Sequence, residues 1–75
     1  MPKRDPVLSK LGSNVRKQRE SLNYSQEFVA GISGLDQTYI SGIECGKRNP
    51  GFKNIAKLAK ALKLTTSELC KGADA

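Results

Sequence analysis

Two helix starts lie close together in the middle of this chain, in the run SQEFVAGISGLDQTYISGIECGKRN from Ser25 to Asn49. Ser25 is suited to the N-cap, because its hydroxyl accepts a hydrogen bond from a free amide of the first turn. Phe28, Val29 and Ile32 then give one short apolar face. Ser33-Gly34 interrupts it, and Gly34 supplies the positive φ that a tight reversal requires. Asp36 is a second N-cap, and its charge suits the positive end of a helix dipole. Ile40 and Ile43 repeat behind it at helical spacing, whereas Gln37, Thr38, Ser41 and Gly42 lie off that apolar line. Gly46 is a C′ stop.

The spacing predicts short helices over 26–32 and 37–44 with a tight turn between them. A second helix with one apolar and one polar face, set directly after such a turn, is the helix-turn-helix pattern. Its second helix presents its N-terminal residues to base edges in the DNA major groove. Composition agrees with a polyanionic partner. The chain has 75 residues, enough for one domain with a small core, and 13 Lys and Arg against 7 Asp and Glu give a net charge of +6. Charge alone fits nucleic acid, an anionic membrane or an acidic protein, and the helix-turn-helix pattern selects double-stranded DNA. No apolar run reaches membrane-spanning length and no signal-type apolar segment follows the basic start, so the expected location is the cytoplasm. With no His and two widely separated Cys, neither a metal site nor a cofactor is expected, and nothing resembles an enzyme's nucleophile or phosphate cradle.

The segments SQEFVA and SGLDQTYISGIECGKRNP resemble the Cro/CI (XRE) family of helix-turn-helix regulators. Within that family, LDQTYISGIE followed by GKRNP is most similar to the controller proteins of restriction-modification systems. The resemblance runs from about Leu8 to Leu69 and implies an all-α, compact five-helix domain of the lambda-repressor-like type. Helices are expected over about 7–22, 26–32, 37–44, 52–62 and 66–71, with a loose basic arm over 1–6 and a tail over 72–75. In the arm, Lys3 and Arg4 have two readings, a DNA contact or a solvated tail.

Leu8, Leu11, Val15 and Leu22 make the apolar face of the first helix, with Gly12 allowing close packing and Asn23 a left-handed end. Phe52, Ile55, Leu58, Ala59 and Leu62 make that of the fourth. Thr65-x-x-Glu68 is a capping box for the fifth.

Gln37 can bond adenine bidentately, and Thr38 can bond a base or touch a thymine methyl. Tyr39 and Ser41 are further candidate readers, Tyr39 with the competing reading that it packs against helix two. Gly42 departs from many relatives, which carry a reading side chain there. It either removes a base contact or lets DNA approach closely. Lys47, Arg48 and Asn49 lie in the loop after the helix stop, where cations meet phosphate; the resemblance implies that Arg48 also approaches bases.

Lys53, near the start of the fourth helix, is a further phosphate candidate. By resemblance, Gln26 contacts a phosphate at the start of helix two, Arg19 pairs with Glu44, and Glu27 is a candidate contact to RNA polymerase or a simple dipole partner. By resemblance also, the last helix forms the contact of a homodimer. Leu64 and Leu69 are the candidates for it, Leu69 shared between that contact and the monomer core. The resulting expectation is a homodimeric, sequence-specific transcriptional regulator without a small-molecule effector. A protein-interaction module such as an antitoxin is the alternative on the same domain.

Overall fold

The computed structural model describes residues 5–73, and Lys3 and Arg4 lie outside them. Five helices follow in order: α1 Pro6–Ser21, α2 Gln26–Ser33, α3 Gln37–Glu44, α4 Phe52–Ala61 and α5 Thr66–Leu69. The described residues contain no strand. Helix α1 packs on α3 and α5, α2 packs on α3 and α4, and α4 packs on α5. Leu11, Val15, Val29, Ile40, Ile43, Leu58, Ala59, Leu62 and Leu69 form the shared core.

Helices α1, α2, α3 and α5 each begin where a side chain satisfies free amides, whereas α4 starts after Gly51 without a side-chain cap. Ser25 accepts from Phe28 N at 2.9 Å, and Asp36 accepts from Thr38 N and Tyr39 N at 3.0 and 3.3 Å. The Thr65–Glu68 capping box is closed in both directions. Its bonds hold the Glu68 carboxyl below the usual range, so this cap is intact at neutral pH and weakens as pH falls through the lowered value. Helix α1 starts earlier than expected. Asp5 caps it, accepting from Val7 N at 2.9 Å, and Pro6 occupies its first turn, so neither residue belongs to a loose arm.

Helices α1, α4 and α5 end one or two residues sooner than expected, α2 runs one residue further, to Ser33, and α3 ends at Glu44 as expected. After α1, Asn23 turns left-handed (φ 59°), and the amides of Asn23 and Tyr24 bond back to Glu20 O and Arg19 O. Lys63 (φ 61°) closes α4 in the same way. These are Schellman closures, which remove Leu22 and Leu62 from the helices while leaving both on the core side. Helix α5 ends at Leu69, and Ala73, assigned above to a tail, is 9% exposed and belongs to the core.

Four apolar expectations are corrected. Phe28, Ile32 and Phe52 are 48%, 48% and 74% exposed, so only Val29 of the α2 face is fully buried and α4 packs without its first residue. Tyr24 packs against Phe28 with the rings tilted by 55° and 4.6 Å between centroids. At the start of α1, Val7 rather than Leu8 packs on the core.

Two polar side chains of α1 hold the far ends of other helices. Gln18 Nε2 donates to Leu62 O at 2.8 Å, and Asn14 Nδ2 donates to Leu69 O and Lys71 O, each at 2.9 Å. They satisfy carbonyls that a helix C-terminus leaves free.

Gly12 sets the approach of α1 to α3. A Cβ there would collide with Ile43 O and lie 2.7 Å from Glu44 O. Alanine would gain up to about 1 kcal/mol of helix propensity. The collision is with backbone, which cannot rotate away. Gly12→Ala is therefore expected to lose a net of about 1–3 kcal/mol in urea unfolding. An unchanged midpoint would contradict this packing.

Candidate nucleic-acid interface

Gly34 (φ 74°) ends α2, Leu35 tucks against the core, and Asp36 starts α3. Ile40 and Ile43 are fully buried, which fixes the rotation of α3 about its axis. Gln37 and Thr38 are consequently exposed at its N-terminal end, and Tyr39 and Ser41 are half-buried along the adjoining face.

The far end of α3 is closed by a third Schellman arrangement. Gly46 (φ 73°) donates from its amide to Ile43 O at 3.0 Å, and Lys47 N donates to Gly42 O at 2.9 Å. Arg48 N also donates to Gly42 O, at 3.2 Å, so the loop folds back over the helix. This loop carries exposed Lys47, Arg48 and Asn49 and ends on buried Pro50. The Arg48 guanidinium lies 5.9 Å from the centre of the Tyr39 ring. Tyr39 packs towards α4, its hydroxyl accepting from Asn54 Nδ2 at 3.1 Å, and not simply against α2. Lys53 is exposed in the first turn of α4. The structure thus brings Gln37, Thr38, Tyr39, Ser41 and Arg48 onto α3 and its closing loop. Asn54, which sequence reasoning did not single out, braces the set.

The orientation of α3 is held from behind. Arg19 Nε and Nη2 donate to Glu44 Oε2 and Oε1 at 2.7 and 3.0 Å, a bidentate pair whose side chains are only 13% and 4% exposed. Arg19 Nη1 donates to Tyr24 O at 2.8 Å. Hydrogen bonding to Glu44 raises the Arg19 pKa against the opposing effect of burial, so the guanidinium keeps its charge. Gln26 is the third member, donating from Nε2 to Glu44 Oε1 at 3.1 Å. One carboxylate therefore ties α1, α2 and α3 together. Gln26 has an inward partner, and only its second N–H is left for an outside acceptor.

Away from this face, Leu64 is half-buried beside an open groove between α1 and α5, lined also by Lys10, Lys17 and Lys71. Leu69 is corrected: it is fully buried within the monomer and offers no surface to a second subunit. Glu27 is exposed on α2, and Cys45 is exposed at the end of α3.

This arrangement matches a known family. A family model described as helix-turn-helix covers residues 15–69. The chain belongs to the XRE-type helix-turn-helix family of DNA-binding transcriptional regulators. It is 43% identical over 61 residues to control protein C.MunI of a Mycoplasma species, covering 80% of this chain and 82% of that one. The crystal structure of the restriction-modification controller protein C.AhdI from Aeromonas hydrophila superposes with a TM-score of 0.81 at 45% identity, over 83% of this chain and 94% of that one. A third relative, the controller protein C.Esp1396I, has been solved as a tetramer in complex with its natural 35-base-pair operator. It matches with a TM-score of 0.82 at 33% identity, over 92% of this chain and 91% of that one. These relatives are regulators rather than enzymes. Among the described residues no helix is long and apolar enough to cross a membrane.

Proposed function

We propose that this chain is a controller-type regulator that binds a pseudo-palindromic operator as a homodimer and regulates its own promoter. The observation that carries this is the α3 N-terminus: Gln37 and Thr38 are exposed while Ile40 and Ile43 lock the opposite side of the helix into the core. In a dimer, two such helices about 34 Å apart would enter successive major grooves on one side of the duplex. Gln37, Thr38, Tyr39, Ser41 and Arg48 read bases. Lys47, Asn49 and Lys53, with the second N–H of Gln26, hold phosphates and set the salt dependence. The operator-bound tetramer of C.Esp1396I supports assembly on DNA.

Leu64, at the α1–α5 groove, is the apolar residue left for the two-fold contact now that Leu69 is assigned to the core. Glu27 faces solvent on α2 and is the candidate contact to RNA polymerase. Regulation then follows from protein concentration coupled to dimerisation, in the cytoplasm, without catalysis or a small effector.

The reading is tested by Gln37→Ala. The variant is expected to fold normally, lose about 1–3 kcal/mol of affinity for the preferred operator and relax the preference at one position of each half-site. An equal loss on every duplex would make Gln37 a phosphate contact instead.

A further inference from the structure

Gly42 lies beside the reading face, on the half of α3 away from Gln37, and has no side chain to offer DNA. What fills the space is Arg48. A Cβ on Gly42 would lie 2.5 Å from Arg48 Cγ, 3.5 Å from its Nε and 3.6 Å from its Cβ. The stem of Arg48 therefore rests directly on the bare backbone of α3. From there it runs towards Tyr39, one helical turn nearer the N-terminus, and its guanidinium ends over the Tyr39 ring. The ring is in turn braced by the bond from Asn54 to its hydroxyl. The two hydrogen bonds that the Lys47 and Arg48 amides donate to Gly42 O fix the backbone from which the stem departs.

We propose that Gly42 is a positioning residue for Arg48: its missing side chain and the Tyr39 ring form a seat that aims the guanidinium along α3 towards the bases read by Gln37 and Thr38. The inference rests on the DNA-reading role of α3 proposed above. An exposed arginine on a loop ordinarily loses much rotamer freedom when it binds. A seated one has lost part of it already, and its planar fork arrives in one orientation, suited to a guanine edge. The role of glycine here is to make room for a reader on a neighbouring loop.

Two measurements test this. In the free protein, NMR is expected to show strong NOEs between the Gly42 α protons and the Arg48 γ protons, with one dominant Arg48 χ1 rotamer. Gly42→Ala should abolish the rotamer preference while leaving the circular dichroism spectrum and melting temperature at or above those of the parent, since alanine favours helix. Absent NOEs or an averaged rotamer in the parent would overturn the seat. On DNA, the same substitution is tested with and without Arg48→Ala, against a preferred duplex and a scrambled one.

With Arg48 present, Gly42→Ala is expected to lower affinity for the preferred duplex about tenfold, the size of one lost base contact. In the Arg48→Ala background it should change affinity by less than about twofold, as expected when the shared partner is gone. Equal losses in both backgrounds would overturn the proposal and make Gly42 a point of close DNA approach. A parent that binds both duplexes alike would overturn the DNA-reading role itself, a failure separable from loss of the NOE.

Discussion

Replacing Glu44 with alanine is expected to remove about 3–5 kcal/mol of folding stability, because it leaves a largely buried guanidinium without its counter-charge. The carboxylate receives two bonds from Arg19 and one from Gln26, and its side chain is 4% exposed. An exposed ion pair of the same length would contribute only about 0–1 kcal/mol. A 75-residue domain has a total stability on the order of 4–11 kcal/mol, so the variant should lie near or below its folding threshold. Urea unfolding followed by circular dichroism measures this. A loss under about 0.5 kcal/mol would mean that the three-helix tie does not exist in solution. The pair's net contribution is smaller than the cost of breaking it, since both charges were taken out of water. Its structural consequence is the angle of α3 relative to α1 and α2, and hence the direction in which Gln37 and Thr38 project.

Leu69→Asp should not fold at all. The leucine is fully buried where α5 closes the core, and Asn14 of α1 fixes its carbonyl. Truncating such a leucine costs about 2–5 kcal/mol before any charge is buried in its place. Adding an unpaired carboxylate brings the loss to the size of the whole domain's stability. Circular dichroism and sedimentation separate the outcomes. Loss of helical signal is the expected result. A fully helical monomer would place Leu69 at a subunit contact and contradict its assignment to the core. The comparable experiment on the proposed dimer surface is made at Leu64, which keeps part of its side chain in solvent.

The elements that were legible in the sequence are those whose signal is local. Ser25, Asp36 and Thr65–Glu68 are caps whose partners lie two or three residues away, and Gly34, Gly46 and Asn23 turn left-handed where the chain must reverse. The bounds of α3 were readable for the same reason, since a cap and a stop bracket it. Burial was less legible. Phe28, Ile32 and Phe52 satisfy helical periodicity, but periodicity does not distinguish a face that meets the core from one that the small core leaves uncovered. Leu64 and Leu69 look alike in sequence, and only the tertiary packing separates a core residue from a half-exposed one.

The candidate site divides along the same line. Gln37 and Thr38 follow from the cap and the apolar line. The inward bond of Gln26, the brace from Asn54 and the seating of Arg48 on Gly42 join residues from different elements and leave no mark in spacing. Gly42, read from sequence as a missing contact or a point of close DNA approach, is occupied by a side chain from the loop that follows.

The most direct test of the central claim is selection of binding sites from random duplex DNA at near-physiological salt. The expected product is a pseudo-palindrome whose half-sites are centred about one helical turn apart, each read by one copy of α3. Enrichment of no sequence, with weak binding that disappears as salt rises, would mean that the basic charge binds DNA generically and that α3 reads nothing.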